Sequence, residues 1–111
     1  MARPIRSVDL YLPLEYNDGR LVPDSHFESL LQELVDYFGG VTSVQRDFPL
    51  QGIWKSRGVT YRDRVVVFTS MDFGAWTQLE CLRYLSRLKT RLKRKLDQLE
   101  ILITVAELLA V

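Results

Sequence analysis

The feature that most constrains the fold is the stretch from Val59 to Ser70, which contains the longest run of β-branched and aromatic residues in the chain. Its first half alternates in polarity, and its second half is apolar at successive positions. This pattern is typical of a central strand whose end is covered on both faces. The rest of the chain must therefore supply strand partners and covering helices for this segment.

Two further segments show strand patterns near the ends of the chain. Residues 5–14 alternate, with Val8, Leu10 and Leu12 on one side, and Pro13 predicts where pairing ends. The segment from residue 101 to residue 109 is rich in β-branched side chains and is the predicted last strand.

The residues before Val59 predict a hairpin partner for the central strand. A strand is expected from Val41 to about Phe48, with an interruption at Pro49, because proline has no N–H to donate to a sheet. Residues 51–56 resume the strand pattern, and residues 55–58, Lys-Ser-Arg-Gly, are the predicted hairpin tip.

An amphipathic pattern predicts a first helix after residue 23. Ser25 and Glu28 have the spacing of a capping box, and Gly39-Gly40 predicts the helix end, because glycine accepts the left-handed conformation found there. The apolar positions follow one helical face. They are Phe27, Leu30, Leu31, Leu34, Val35 and Phe38.

A second helix is predicted from about Ala75 to Gln98, with Asp72 as the candidate N-cap. Its apolar residues recur every three or four positions and predict one buried stripe. They are Trp76, Leu79, Leu82, Leu85, Leu88, Leu92, Leu96 and Leu99.

The predicted order is strand, helix, strand, strand, helix, strand. This order is the ferredoxin-like βαββαβ plan, an α+β sandwich with a four-stranded antiparallel sheet and two helices on one face. The first and third strands are expected in the centre. With 111 residues, 47% apolar and 26% charged, the chain is expected to form a single domain over residues 1–111.

Composition argues against several classes of protein. A single cysteine, Cys81, excludes an intramolecular disulfide and a multi-cysteine metal site. The net charge of +1 gives no global attraction to nucleic acid or membrane. The sequence has neither a signal-peptide pattern nor a run of ~20 apolar residues. We expect a cytoplasmic protein, bacterial in style, that needs no cofactor or metal.

The sheet face opposite the helices is predicted to be apolar. Its expected members are Tyr11, Tyr61, Val65, Val67 and alternate residues of the last strand, of which Ile101, Ile103 and Val105 form one set. Monomers rarely expose an apolar patch beyond a few hundred Å². A second copy packed sheet against sheet with two-fold symmetry is the simplest cover. The main functional prediction is therefore a homodimeric binding or interaction module.

One alternative is a small dimeric α+β barrel enzyme with a pocket between the two sheets. The candidate pocket residues are Asp9, Tyr11, Tyr61 and Asp63, which have polar groups suited to orienting a ligand. The sequence contains no Gly-rich phosphate loop, no Ser-His-Asp set and no cluster of metal ligands, so no catalytic residue is assigned.

A second alternative is anion or nucleic-acid binding through the basic second helix, because lysine and arginine contacts to phosphates release bound counterions. The candidates are Arg83, Arg87, Arg91 and Arg94. The first helix is acidic, so ion pairing between the two helices competes with this interpretation.

The sheet face offers a weaker route to RNA. Residues 10–12, Leu-Tyr-Leu, and residues 57–61, Arg-Gly-Val-Thr-Tyr, are slightly similar to the strand motifs of RNA-recognition domains, which stack bases on aromatic side chains. Val59 occupies a position where those domains have an aromatic residue, which argues against base stacking there.

The whole chain resembles a family of small bacterial proteins of ferredoxin-like fold with no assigned activity. The similarity rests on residues 8–14, Val-Asp-Leu-Tyr-Leu-Pro-Leu, on residues 38–42, Phe-Gly-Gly-Val-Thr, and on Gly52-Ile53-Trp54 followed by Tyr61-Arg62-Asp63. The resemblance implies the fold and brings no reaction with it.

Overall fold

A computed structural model describes residues 1–43 and 50–111 as an α+β architecture of two helices and an antiparallel sheet. The strands are β1 (Arg3–Pro13), β2 (Thr42–Ser43), β3 (Leu50–Ser56), β4 (Val59–Asp72) and β5 (Leu102–Ala110). The helices are α1 (Asp24–Phe38) and α2 (Gln78–Lys95). Neither helix in this described part has the length and apolar character needed to span a lipid bilayer.

The sheet has the order β2-β4-β1-β5, and β3 pairs with a different part of β4. The expected central strands, β1 and β4, lie in the centre, and the last strand pairs with β1 as predicted. The predicted four-stranded sheet is wrong, because residues 1–43 and 50–111 form five strands. β4 is 14 residues long, so two short strands share its edge. The expected break at Pro49 lies outside the described residues.

The β3–β4 hairpin extends beyond the rest of the sheet. Its tip is Arg57-Gly58, whose φ angles of 50° and 79° suit a two-residue hairpin turn. The turn lies within the predicted tip of residues 55–58, of which the first two belong to β3. The pairing of β4 with β1 ends at Val65 and Pro13. Residues 59–64 of β4 therefore have β3 as their described strand partner.

The hydrophobic core lies between the helices and one face of the sheet. The predicted sheet residues of this face are all buried, namely Val8, Leu10, Leu12, Val66 and Phe68. They pack in one cluster with residues of both helices. The helix members are Phe27, Leu30 and Leu34 of α1 and Cys81, Leu85, Leu88 and Leu92 of α2. Both helices therefore cover the same face of the sheet.

The prediction for β5 is wrong about which side chains face the helices. Ile103 lies opposite Leu10, and Val105 lies opposite Val8, so both pack against the core rather than on the open side. Ile101 precedes the strand and is buried in the core. Because side chains alternate along a strand, a shift of one residue in the strand's phase exchanges its two faces.

Helix α1 begins one residue before the predicted cap. Pro23 is the N-cap and its carbonyl accepts from the N–H of His26, so Ser25 lies inside the first turn and the predicted Ser25–Glu28 box does not cap the helix. The predicted helix end is confirmed at Gly39, whose φ of 92° is left-handed and whose N–H donates to Val35.

Helix α2 begins later than the sequence predicts. Thr77 is the N-cap, its hydroxyl accepts from the Glu80 N–H, and the Glu80 carboxylate accepts from the Thr77 N–H. Asp72 is therefore not the cap of this helix. The predicted stripe is correct only in its central part, because Leu79, Leu82 and Leu99 are exposed. Cys81 takes the buried position one turn before Leu85.

Asp72 instead forms a buried ion pair at the end of β4. Its Oδ2 accepts from Nη1 of Arg6 at 2.9 Å, and its Oδ1 accepts from the N–H groups of Gly74 and Ala75, both at 3.0 Å. Nη1 of Arg6 also donates to the carbonyl of Trp76 at 3.1 Å. The pair therefore joins the start of β1 to the end of β4 and to the turn that leads into α2.

Replacing Asp72 with asparagine is expected to destabilise the protein by about 3–5 kcal/mol, because the Arg6 guanidinium then loses its charged partner in a largely buried place. Denaturant unfolding of Asp72→Asn and the parent chain measures this. Asp18→Asn is the matched control, because Asp18 pairs with Arg20 on the exposed surface and its loss is expected to leave the unfolding midpoint unchanged. An equal, small effect of both substitutions would contradict this account.

Candidate functional site

The open sheet face is the side of the sheet opposite the helices, and a polar row crosses its centre. Asp9 of β1 lies between Thr69 of β4 and Thr104 of β5, and Thr69 in turn lies opposite Thr42 of β2. We call Thr42, Thr69, Asp9 and Thr104 the threonine–aspartate row. The hydroxyl of Thr69 donates to Oδ1 of Asp9 at 2.6 Å, so one carboxylate oxygen has a partner within the sheet.

Apolar side chains flank the threonine–aspartate row on both sides. Tyr11, Val65, Val67 and Met71 are half-buried, while Leu102 and Leu108 are 54% and 44% exposed. In the register of the sheet, Tyr11 lies between Val67 and Leu102. The open sheet face is therefore an apolar surface with a hydrogen-bonded carboxylate near its middle.

The sequence predicted Asp9 and Tyr11 for this surface, and the structure places them on one face at adjacent open-face positions of β1. The three threonines were missed, because a single threonine in a strand carries no signal until its cross-strand neighbours are known. The register of β1 with β4 and β5 is the missing information.

Tyr61 and Asp63, the other two candidates for the pocket, lie on the β3–β4 hairpin. Their backbones pair with Trp54 and Gly52 of β3. Asp63 is six residues along β4 from Thr69, which lies opposite Asp9, and four residues from Val67, which lies opposite Tyr11. In an extended strand these separations are about 20 Å and about 13 Å. Within one chain, Tyr61 and Asp63 therefore lie away from Asp9 and Tyr11. A pocket shared by all four residues stays a prediction.

The basic second helix makes the expected contact with the acidic first helix at one place. The guanidinium of Arg91 donates to both carboxylate oxygens of Glu33, at 3.0 and 2.6 Å, and the hydroxyl of Tyr84 also donates to Glu33. Arg91 and the Tyr84 hydroxyl together hold the pKa of Glu33 below its ordinary value, against the opposing effect of burial. Arg91 thus ties α2 to α1.

The remaining arginine candidates differ from Arg91. Arg83, Arg87 and Arg94 are exposed and form no ion pair with another described residue. Their spacing of four and seven residues places them along one side of α2. Binding of anions or nucleic acid by these three side chains stays a prediction.

Cys81 has the surroundings of a packed core thiol. It is fully buried beside the leucines of α2, and burial raises the pKa of its thiol, which disfavours the reactive thiolate. Across residues 1–43 and 50–111, no group of three or more histidine, cysteine or acidic side chains has the arrangement needed to hold a metal ion.

No protein-family model and no curated protein matches this chain. Among solved structures, the chain is similar to a phage SAM lyase in complex with S-methyl-5'-thioadenosine, with a TM-score of 0.70 and 13% sequence identity. The match covers 93% of this chain and 81% of the lyase chain. At this identity the likeness is one of fold, and the resemblance to small bacterial proteins stays a prediction.

Glu33→Gln is expected to lower the thermal midpoint at pH 7 and to have little effect at pH 3. The pKa of Glu33 is lowered in the folded chain, so its ionised form adds stability above about pH 4.5, and this contribution disappears as the pH falls through the folded pKa. Thermal unfolding of both chains from pH 7 to pH 3 measures the difference. Glu28→Gln, an exposed change on the same helix, is expected to leave the profile nearly unchanged. If the thermal midpoints of Glu33→Gln and Glu28→Gln change with pH in the same way, the Glu33–Arg91 pair does not stabilise the fold.

Proposed function

We propose that this chain is a ferredoxin-like binding protein that forms a homodimer. The open sheet faces of the two copies pack against each other and hold a small molecule between them. The observation that carries the proposal is the half-buried Asp9 carboxylate, hydrogen-bonded to Thr69, in a polar row with apolar side chains on both sides. The order β5-β1-β4, with β2 and β3 sharing the outer edge of β4, supports the ferredoxin-like assignment.

The size of the open sheet face can be compared with that of known interfaces. Three strands, β4, β1 and β5, at about 4.8 Å per strand and a length of nine residues give roughly 430 Å² of flat surface. Two such faces together give roughly 860 Å², so β2 and the β3–β4 hairpin must also contribute for the pair to reach the about 1,200–2,000 Å² that stable protein interfaces bury. The exposed Leu102 and Leu108 then move from water into a contact with apolar side chains.

The threonine–aspartate row favours a ligand rather than a dry interface. A carboxylate that is taken out of water requires hydrogen-bond donors, and Thr69 provides one donor to Oδ1 of Asp9. A ligand with hydroxyl or amino donors supplies further partners for Asp9. The apolar flanks, including Tyr11, provide the surface on which a flat or apolar part of the same ligand packs.

The likeness in fold to a SAM lyase that binds S-methyl-5'-thioadenosine supports the ligand-binding part of the proposal. It also favours a second candidate, an enzyme that acts on SAM. S-methyl-5'-thioadenosine is therefore the first probe of choice. A cytoplasmic location is part of the proposal.

Leu102→Lys is expected to convert a dimer into a monomer, because it places a charge in the proposed interface without disturbing the helix-side core. Light scattering on a sizing column, over a range of concentrations, measures the mass against the 12.9 kDa chain. Leu79→Lys is the matched control, because Leu79 is exposed to a similar extent, 57% against 54%, but lies on α2. A parent chain that stays at 12.9 kDa, or a dimer that both variants leave intact, would contradict the open-face assembly.

Titration calorimetry with S-methyl-5'-thioadenosine is expected to give binding that Asp9→Asn weakens roughly tenfold or more, the usual cost of losing a charged hydrogen-bond partner. Asp36→Asn, on the exposed side of α1, is the control for a change of one charge. Incubation of the parent chain with SAM, followed by mass spectrometry for S-methyl-5'-thioadenosine, tests the enzyme candidate separately. If neither S-methyl-5'-thioadenosine nor SAM binds, the proposed nucleoside ligand is wrong. If product forms at the same rate in Asp9→Asn, the proposed site at Asp9 is wrong.

A further inference from the structure

A cavity of about 260 Å³ lies where β1 begins, β4 ends and β5 nears its end. Its lining comprises Pro4, Ile5, Arg6, Asp72, Gly74, Trp76 and Glu107. Neither Asp9 nor Tyr11 contributes to it. The side chains of Arg6 and Asp72 lie on the helix side of the sheet, so this cavity is separate from the open sheet face.

Arg6 presents an accessible hydrogen-bond donor at this cavity. Its Nη1 is occupied by Asp72 and by the carbonyl of Trp76, and its Nε is buried out of reach of a ligand. Its Nη2 donates to no described residue and is not among the buried unpaired groups, so it is open to a ligand. A guanidinium N–H forms a strong, charge-assisted hydrogen bond with a carboxylate oxygen.

Glu107 supplies the opposite charge at the same place. It lies directly across from Arg6 in the pairing of β1 with β5, is exposed, and forms no ion pair with a described residue. The cavity therefore places a guanidinium N–H donor beside a free carboxylate. A simple anion is repelled by Glu107, whereas a molecule with adjacent negative and positive groups satisfies both side chains.

The remaining wall is apolar and held in place. The indole N–H of Trp76 donates to the carbonyl of Tyr37 at 2.9 Å, and the two rings stack with their centroids 4.4 Å apart. These contacts fix the ring of Trp76, and Pro4 is a second apolar residue of the lining. The volume is below the about 300–1,000 Å³ of cavities that bind drug-sized molecules, so the occupant is small.

We propose that this cavity binds a free α-amino acid with an apolar side chain. The carboxylate of the ligand accepts from Nη2 of Arg6, its ammonium group pairs with Glu107, and its side chain packs against Trp76. The proposal is independent of the open-face function, because the two sites share no residue.

Titration calorimetry with L-methionine tests the ligand class. The expected result is saturable binding by L-methionine, with at least tenfold weaker binding of L-methionine methyl ester, which lacks the carboxylate, and of N-acetyl-L-methionine, which lacks the ammonium group. Equal binding of all three compounds would overturn the proposal, and so would no heat of binding with L-methionine. Inorganic phosphate is included as a simple anion, and binding of phosphate in preference to L-methionine would also overturn it.

Two substitutions locate the binding. Arg6→Lys keeps a positive charge beside Asp72 but removes the guanidinium and its Nη2 donor, and Glu107→Gln removes the charge from an exposed side chain. Each is expected to weaken L-methionine binding about tenfold or more, whereas Arg83→Lys and Glu28→Gln, both exposed on the helices, leave it unchanged. If Arg6→Lys fails to fold, Glu107→Gln alone decides the matter, and unchanged affinity in that variant contradicts the site.

Discussion

The buried ion pair between Arg6 and Asp72 joins the two central strands and the turn into α2 at one point. The two residues are 66 positions apart, yet their side chains meet where β1 begins and β4 ends. Transfer of a carboxylate from water to the interior is costly, and hydrogen bonds from Arg6, Gly74 and Ala75 offset that cost. The same contacts fix the turn that leads into α2, and hence the place where this helix crosses the sheet.

This pair also explains why the start of α2 was predicted wrongly. Asp72 and Thr77 are both residue types that cap helices, and local sequence does not distinguish between them. The distinction comes from a distant partner, because Arg6 and the following turn take both carboxylate oxygens of Asp72. Thr77 then caps the helix together with Glu80. A tertiary contact thus overrides a valid local signal.

The side of the sheet on which a side chain lies could be predicted where apolar and polar residues alternate clearly along the strand. It could not be predicted where only the pairing with a neighbouring strand decides which residues face the helices. Val8, Leu10 and Val66 are buried as their period of two requires. In β5 almost every position is apolar, so alternation gives no preferred face, and the pairing of Ile103 with Leu10 decides the outcome. The same limit applies to the site, because Asp9 was evident in the sequence but its threonine neighbours depend on register.

The two proposed binding sites lie on opposite faces of the sheet, and only the site on the open sheet face requires a second copy of the chain. The open sheet face offers Asp9 on an exposed surface, and a ligand there is enclosed only when another face covers it. The cavity beside Arg6 and Glu107 is formed within one chain and lies toward the helices. Packing of two open faces would therefore leave both cavities accessible on the outer sides of a dimer. Occupation of one kind of site does not obstruct the other. The two sites are connected by all three long strands, because β1, β4 and β5 each contribute to both: Asp9 and Arg6, Thr69 and Asp72, and Thr104 and Glu107.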